Sequence, residues 1–179
     1  MYGILPIMPT NVRNKPISAG PAQDALDAIG WKILVELQRD GRIQYAELGR
    51  RVGLGKSAVI ERVRRMEEAE IITGYRADIQ PAKVGRPVLA FILVNVVGDY
   101  LRRIEKLSEE VPEILECYRI TGRDSFIMKV AVPSVEDLKP LINHMTPFVT
   151  TTTSVVLSSV VTSRVIDPPP NAKHGRKQK

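Results

Sequence analysis

The sequence predicts an α+β protein in which an N-terminal winged helix-turn-helix precedes a C-terminal ferredoxin-like βαββαβ module. Two observations support this fold class. Apolar residues recur at three- and four-residue steps in the first half of the chain, whereas strand-length apolar runs alternate with helical stretches from residue 88 onward. With 44% hydrophobic residues in a chain of 179, each half has enough apolar side chains for a core.

Four segments follow from these patterns. Residues 1–22 contain four prolines and no sustained periodicity, so we expect a disordered arm. Residues 23–84 form the helix-turn-helix and a linking strand, and residues 85–166 form the second module. Residues 167–179 begin with Asp-Pro-Pro-Pro and end as a basic polar tail, which we also expect to be disordered.

Three helices are predicted in the first module. The first carries an apolar stripe at helical spacing and ends at Asp40-Gly41. The stripe consists of Leu26, Ile29, Ile33 and Leu37. A second helix of two turns ends at Gly53-Leu54-Gly55, and the third runs from about Lys56 to Glu70. Short helices joined by a glycine-containing corner are typical of a helix-turn-helix.

The third helix has one half for packing and one half for solvent when its residues are placed at about 100° intervals. The packing half contains Val59, Ile60, Val63, Met66 and Glu67. The outward half contains Ala58, Glu61, Arg62 and Arg65. Residues 71–87 then supply two short extended stretches around polar turn residues, which predicts a β-wing or a linking strand.

The second module follows the order β-α-β-β-α-β. Strands are predicted within residues 88–97, 114–121, 125–132 and 151–165, and helices within residues 101–111 and 135–146. A tight turn at Gly122-Arg123-Asp124 joins the two middle strands. Such a chain folds into a four-stranded antiparallel sheet with both helices on one face. Because the first strand is apolar on both sides, we expect a second copy of the protein to cover the open face.

The positive charge is concentrated in the first module. The whole chain carries a formal charge of +6, and residues 42–65 hold seven basic and two acidic residues. Residues 88–166, by contrast, hold eight basic and nine acidic residues. A local positive field suits a polyanion such as DNA, because phosphate neutralisation releases condensed counterions. Charge alone fits a solvated helix face equally well.

The residues that usually carry catalysis are sparse and scattered. His144 and His174 show neither metal-ligand spacing nor a partner set for a catalytic triad, and Cys117 is the one cysteine. We therefore expect neither an enzyme nor a metal or other cofactor. The chain also contains no apolar run of membrane-spanning length. These features predict a cytoplasmic protein that does not bind membranes.

Several stretches resemble one protein family. They are LDAIGWKILVELQRDGRI in the first helix, AELGRRVGLGKSAVIERVRRMEEAEIITGY in the helix-turn-helix, and ECYRITGRDSFIMKV with VPSVEDL in the second module. Over roughly residues 24–165 the chain resembles the leucine-responsive and asparagine-responsive (Lrp/AsnC) regulators of bacteria and archaea. The resemblance implies a DNA-binding dimer, often assembled into tetramers or octamers. It also implies that the second module senses a small molecule, typically an amino acid.

Two sets of site residues follow from the resemblance. The recognition helix contributes Lys56, Ser57, Ala58, Glu61, Arg62 and Arg65. Arg50 and Arg51 suit phosphate contacts, whereas the start of the third helix enters the major groove first and suits base reading. The effector pocket falls between subunits at two segments of the second module. These segments contain Gly122, Arg123, Asp124, Ser125, Thr150 and Thr152, within the stretches 122–125 and 150–153.

One effector residue departs from the family pattern. Arg123 stands where the family usually has an acidic residue at the hairpin. A guanidinium group repels an ammonium group and binds planar anions in bidentate geometry. We therefore predict either no response to common amino acids or a ligand whose carboxylate is held at this turn. The plain alternative is that Arg123 points into solvent.

The main prediction is a homo-oligomeric, sequence-specific transcriptional regulator that acts on the nucleoid, with an amino acid or a related small molecule as effector. An alternative is an architectural, nucleoid-type DNA-binding protein that has no effector. A third function, RNA binding through the sheet, depends on exposed aromatic residues. Tyr118 and Phe126 are the aromatic residues of the two middle strands, and the remaining positions are mainly aliphatic. An enzyme with a ferredoxin-like fold ranks last.

Overall fold

The structure is a computed structural model that describes residues 26–146 and 149–170. The chain forms two compact units. The sheet unit is Ala77–Ser163, and the helical unit combines the chain up to Arg76 with the chain from Arg164 onward. The predicted arm, residues 1–22, and residues 171–179 of the predicted tail lie outside the described residues.

The helical unit contains the three predicted helices, which are α1 Ala28–Arg39, α2 Tyr45–Val52 and α3 Lys56–Glu68. Asp27 begins α1, because its side chain accepts a hydrogen bond of 2.7 Å from the backbone N–H of Gly30. The apolar stripes meet in a core centred on Ile33, Leu48, Val59, Val63 and Met66. The helical spacing of these residues predicted that core.

The corner between α2 and α3 depends on two glycines. Gly53 has φ 77°, a left-handed conformation that residues with a Cβ atom rarely adopt. Gly49 allows a close backbone approach, because a Cβ atom there would lie 2.5 Å from the carbonyl oxygen of Leu54. The N–H of Leu54 donates a 2.8 Å hydrogen bond to the carbonyl of Gly49. The helix-turn-helix corner is therefore held by direct backbone contact.

The structure corrects the predicted end of α3 and the predicted β-wing. Helix α3 ends at Glu68 rather than Glu70, and Glu70 adopts φ 55°. The range 71–80 is fully described and contains no strand, and it leads into a 3-10 helix over Pro81–Val84. The N–H groups of Ile71 and Ile72 bond to the carbonyl of Met66, and both side chains pack on the core. Ile71 and Ile72 therefore pack at the end of α3 and do not form part of a β-hairpin.

The sheet unit has the predicted order of strands and helices. Its elements are β1 Val88–Val96, α4 Leu101–Glu110, β2 Ile114–Arg119, β3 Phe126–Val132, α5 Leu138–Met145 and β4 Val149–Val155. All pairings are antiparallel, and the strands lie in the order β2-β3-β1-β4. This is the ferredoxin-like arrangement, so the predicted fold class is confirmed.

The two faces of the sheet differ. One face packs against α4 and α5, with Ile92, Met128, Ile104 and Met145 fully buried between them. The helix-free face is crossed by two rows of paired residues. These rows are Tyr118-Ile127-Leu93-Thr152 and Glu116-Lys129-Phe91-Ser154. Phe91 and Tyr118 remain exposed there, which matches the prediction of an apolar face open to a partner.

The boundaries of the units differ from the predicted ones. The sequence predicts a boundary after residue 84 and a second module that extends to residue 166, whereas the units divide after Arg76 and after Ser163. The last strand ends at Val155, so Ile166 can bond elsewhere. Its N–H donates to Gln38 Oε1 at 2.8 Å, and Gln38 Nε2 donates to its carbonyl at 3.1 Å. This reciprocal pair attaches the C-terminal segment to α1.

Candidate nucleic-acid interface and effector region

The outward face of α3 is fixed by three buried side chains. Val59, Val63 and Met66 are at most 1% exposed and define the packed side of the helix. The opposite side, at about 100° per residue, carries Ser57, Glu61, Arg64, Arg65 and Glu68. Lys56, Ser57 and Ala58 are exposed in the first turn, as a base-reading position would require. Ile60, which was predicted on the packed half, is 40% exposed.

A ladder of ion pairs covers this outward face. Glu61 accepts hydrogen bonds from Arg64 Nη2 at 3.0 Å and from Arg65 Nε at 2.9 Å. These bonds from Arg64 and Arg65 lower the pKa of Glu61 to about 2, so the carboxylate stays ionised. Arg65 remains 68% exposed. Because exposed ion pairs are weak, both guanidinium groups can exchange Glu61 for a phosphate or a base edge.

Arg62 lies apart from the outward face, which corrects the predicted outward arc. Its Nη1 and Nη2 atoms donate to the two carboxylate oxygens of Asp27 at 2.9 and 3.0 Å. The same Asp27 oxygen that faces Nη1 also accepts the N–H of Gly30 at the start of α1. The Gly30 bond, together with Arg62, lowers the pKa of Asp27. The Arg62 side chain therefore joins α3 to the first turn of α1.

Arg50 and Arg51 of α2 differ in availability. Arg51 donates to Glu47 Oε1 at 2.8 Å and to Glu36 Oε2 at 2.7 Å, so it ties α2 to α1. Its hydrogen bond to Glu36, followed by that to Glu47, raises the pKa of Arg51. Arg50 pairs with Glu47 within its own helix, and its side chain is 79% exposed. Of the two predicted phosphate contacts, Arg50 is the more accessible.

Arg64 is a functional candidate that the sequence interpretation missed. It lies seven residues after Ser57 and therefore on the same side of α3. The sequence prediction located the packed side of α3 from five residues, and these included Ile60 and Glu67. When Val59, Val63 and Met66 alone define the packed side, the outward direction shifts and includes Arg64.

The predicted effector turn lies at one end of the sheet. Gly122 has φ 116°, and the N–H of Ser125 donates to the carbonyl of Val94 at 2.8 Å. Ser125 Oγ accepts a 3.3 Å hydrogen bond from the N–H of Val96. Both bonds connect the loop to the end of β1. The loop between β2 and β3 spans residues 120–125, so it is longer than the predicted three-residue turn.

Asn95 links the turn to the start of β4. Its Nδ2 donates a 2.8 Å hydrogen bond to the carbonyl of Arg123, and its Cα is paired with that of Thr150 across the strands. Thr152 lies two residues further along the same face. The structure thus brings both predicted effector segments together around Asn95, a residue that sequence analysis missed because it lies within an apolar strand. The side chain of Arg123 is exposed.

Other kinds of site are not evident within residues 26–146 and 149–170. In this part of the chain, no three His, Cys, Asp or Glu side chains come together in a way that would hold a metal ion. None of the helices there is long and apolar enough to cross a membrane.

Comparison with protein families identifies both modules. An AsnC-type helix-turn-helix domain matches residues 26–67, and an Lrp/AsnC ligand binding domain matches residues 89–166. The HTH-type transcriptional regulator LrpC of Bacillus subtilis is 34% identical, over 76% of this chain and 95% of that protein. The leucine-responsive regulatory protein of Escherichia coli is also 34% identical, over 69% of this chain and 77% of that protein.

Solved structures agree with this result. The structure of B. subtilis LrpC has a TM-score of 0.74 at 33% identity and covers 77% of this chain and 99% of that one. A Neisseria meningitidis transcriptional regulator in complex with L-Met has a TM-score of 0.74 at 26% identity, over 83% of this chain and 99% of that one. The chain therefore belongs to the Lrp/AsnC family of DNA-binding transcriptional regulators.

Proposed function

We propose that this protein regulates transcription as a homo-oligomer that binds specific DNA sequences in the cytoplasm, on the nucleoid. The observation that carries the proposal is the outward face of α3, where Ser57, Arg64 and Arg65 project from a helix anchored by buried side chains. An α-helix fits the major groove of DNA, where base pairs are distinguishable. We expect regulation rather than catalysis, because this surface is arranged for contact with a duplex.

Different residues have different proposed roles at the duplex. Lys56, Ser57 and Ala58 in the first turn of α3 face base edges, and Arg64 and Arg65 extend the contact along the groove. Arg50 contacts phosphate. Glu61, Arg51 and Arg62 act as positioning residues, since their bonds orient the neighbouring cations or hold α3 on α1. A base contact by Arg65 should depend on the DNA sequence, whereas a phosphate contact by Arg50 should not.

Assembly is proposed to occur through the helix-free face of the sheet. Phe91 and Tyr118 are exposed there beside Leu93 and Ile127, which makes a continuous apolar surface. A second copy covering this surface would fix the separation of two recognition helices and so select half-sites at one spacing. Further association into tetramers or octamers would add pairs of such helices.

The effector site is proposed around Asn95 and the two segments that it joins. Hydroxyl groups of Ser125, Thr150 and Thr152 and the amide of Asn95 can donate or accept hydrogen bonds, and Arg123 supplies an exposed cation. This set suits a small molecule held by its carboxylate. The Neisseria relative binds L-Met, and we propose an amino acid or a similar carboxylate here. Such a ligand changes DNA binding only if it prefers one assembly geometry.

The DNA interface can be tested by fluorescence anisotropy with the full chain. We expect the double substitution Arg64→Ala and Arg65→Ala to weaken binding to a specific duplex by about 1 to 3 kcal/mol for each base-reading side chain that is removed. The matched control replaces Arg102 and Lys139, two exposed cations of α4 and α5, by alanine. If the α3 variant and the control variant bound the duplex with equal affinity, the outward face of α3 would not be the DNA-binding surface.

The architectural alternative is favoured by one observation, the exposed guanidinium of Arg123 at the effector turn. A DNA-binding protein without an effector would show no heat of binding with a panel of amino acids in titration calorimetry. A measurable heat with any of them, abolished by Thr150→Ala, supports the regulated function instead.

A further inference from the structure

Two residues that flank the sheet unit, Ala77–Ser163, are attached to the helical unit by specific side-chain contacts. Tyr75 lies two residues before the sheet unit, and Ile166 lies three residues after it. Both belong to the helical unit, so each contact is made within that unit. The two contacts determine where each connection to the sheet unit begins.

The first contact is made by Tyr75, which lies in the exposed stretch 73–80. Its hydroxyl donates a 3.0 Å hydrogen bond to Glu67 Oε1 of α3. Its ring lies against Gly41, where a Cβ atom would be 3.5 Å from Tyr75 Cδ1. Burial, followed by the hydrogen bond to Glu67, raises the pKa of Tyr75, so the hydroxyl remains a donor at neutral pH. Ring and hydroxyl together attach this connection to the helical unit.

The second contact joins Ile166 to Gln38, one residue before the end of α1. The N–H of Ile166 donates to Gln38 Oε1 at 2.8 Å, and Gln38 Nε2 donates to the Ile166 carbonyl at 3.1 Å. An amide side chain that donates to and accepts from one residue fixes the direction of that residue's backbone. Pro168 then lines a groove beside α1 together with Trp31 and Val35. The returning chain is thus in contact with α1.

Both contacts lie at the same corner of the helical unit. Gln38 and Gly41 are three residues apart, so their Cα atoms lie within about 11 Å of each other. A unit that is attached at one point can turn about that point in every direction, whereas a second attachment leaves rotation about the line between the two. The pair of contacts therefore restricts movement of the helical unit on its connections more than either contact alone.

The Tyr75 contact also shortens the first connection. Ile72 packs on the helical core and the 3-10 helix begins at Pro81, so residues 73–80 would be free without Tyr75. With Tyr75 attached, residues 76–80 remain. The loss of three free residues removes about 10 Å of extended chain, which equals the length of about three base pairs of DNA.

We propose that Tyr75 and Gln38 are positioning residues that make DNA binding by this regulator depend on the distance between half-sites. The inference rests on the proposed function, in which two copies each present one α3 helix. A helical unit on short, attached connections reaches its half-site at one spacing, and a displaced half-site requires release of the Tyr75 or Gln38 contact. That release lowers affinity at unfavourable spacings and is not needed at the favoured one. Neither residue has to touch DNA for this effect.

The test is the affinity of the full chain for duplexes of different half-site spacing, measured by fluorescence anisotropy. The native chain selects the starting duplex from a randomised pool, and base pairs are then inserted between its two halves. We expect two inserted base pairs to lower the affinity of the native chain. For Tyr75→Ala with Gln38→Ala this loss should be at least about fivefold smaller, which corresponds to the net strength of one hydrogen bond. Affinity for a duplex with a single half-site should stay at the native value, since α3 is unchanged.

Gln44→Ala with Val135→Ala is the matched control, because both side chains are exposed and lie outside the two connections. The control variant should keep the native dependence on spacing. Tyr75→Phe keeps the ring against Gly41 and should retain more of this dependence than Tyr75→Ala. An unchanged dependence on spacing in the double variant, or equal affinity of the native chain for every spacing, would overturn the proposal.

Hydrogen exchange tests the second contact without DNA. Because the N–H of Ile166 donates to Gln38, it should exchange at least about fivefold more slowly in the native chain than in Gln38→Ala. Equal exchange rates would overturn the role of Gln38. Reduced DNA binding by the Arg64 and Arg65 variant reports on α3 alone, so the DNA-binding surface and the dependence on spacing fail separately.

Discussion

At the scale of single residues, Asp27 and Arg62 illustrate how one carboxylate can serve two structural purposes. Asp27 caps α1 through Gly30 and receives both terminal nitrogens of Arg62 from α3. The Asp27 side chain is 52% exposed, so water weakens the ion pair and the cap hydrogen bond is the larger contribution. Arg62 consequently has a role in positioning α3 even though its residue type and helix suggest DNA contact.

The first prediction concerns this cap. Asp27→Ala removes both the cap and the ion pair, and we expect it to lower the free energy of unfolding by about 1 kcal/mol. Asp27→Asn keeps a capping oxygen but removes the charge, so its effect should be smaller. Urea denaturation of both variants measures the difference. If Asn and Ala were equally destabilising, the ion pair with Arg62 rather than the cap would be the main contribution.

The pH dependence of the same site has a defined sign. Because the pKa of Asp27 is lowered in the folded state from its usual value of 3.8, folding favours the ionised carboxylate. The stabilisation is fully present above that usual value and is lost as the pH falls through the lowered pKa. We therefore expect the stability difference between the native chain and Asp27→Asn to shrink on acidification. A difference that grows at low pH would contradict this assignment.

A further prediction at this scale concerns Arg123. If its guanidinium repels the ammonium group of an amino acid, Arg123→Asp should strengthen binding of common amino acids in titration calorimetry. If the native chain binds an amino acid by its carboxylate, Arg123→Ala should weaken that binding. Native binding that is unchanged in Arg123→Ala would show that this side chain points into solvent and has no role in the pocket.

At the scale of elements, the helix-turn-helix corner depends on the absence of one methyl group. Gly49→Ala would place a Cβ atom 2.5 Å from the backbone oxygen of Leu54, so the two helices would have to separate. We expect a decrease of about 1 to 3 kcal/mol in the free energy of unfolding, as for other overpacked sites. Thermal or urea unfolding provides the measurement.

Gly55→Ala is the matched control for that substitution. Gly55 has φ −69°, and a Cβ atom there would have no neighbour within 4 Å. Because Gly55 is the N-cap of α3 and alanine is a poorer cap than glycine, its replacement should lower stability by less than about 1 kcal/mol. A similar decrease in both variants would mean that glycine flexibility in the corner, rather than the close approach at Gly49, determines its stability.

Periodic elements were predictable from the sequence, whereas boundaries and orientations depended on tertiary contacts. The order of strands and helices in the sheet unit follows from hydrophobic spacing, and the structure confirms it. The β-wing was not formed, because Ile71 and Ile72 are used to close α3. Arg62, predicted on the outward half, pairs with Asp27 instead, and Arg64, which was assigned to neither half, lies on the outward face. The helix orientation is set by which apolar residues are buried, and Ile60 is not among them. Asn95 lies within an otherwise apolar strand, so no local sequence pattern marked it as a site residue.

At the scale of the whole molecule, assembly is expected to depend on the helix-free sheet face. Phe91→Lys would place a second cation beside Lys129 at the centre of that face, so we expect a shift to smaller species in light scattering. Val135→Lys, at an exposed loop position, is the control and should leave the assembly unchanged. An unchanged molar mass for Phe91→Lys would place the subunit contact elsewhere.

The polypeptide passes between its two units twice, after Arg76 and after Ser163. For protein engineering, the sheet unit is thus an insert inside the helical unit rather than a module appended to it. A chimera that exchanges the sheet unit between related proteins has two junctions to match, one after Arg76 and one after Ser163. A label that is meant to report on the sheet unit has to be placed within Ala77–Ser163.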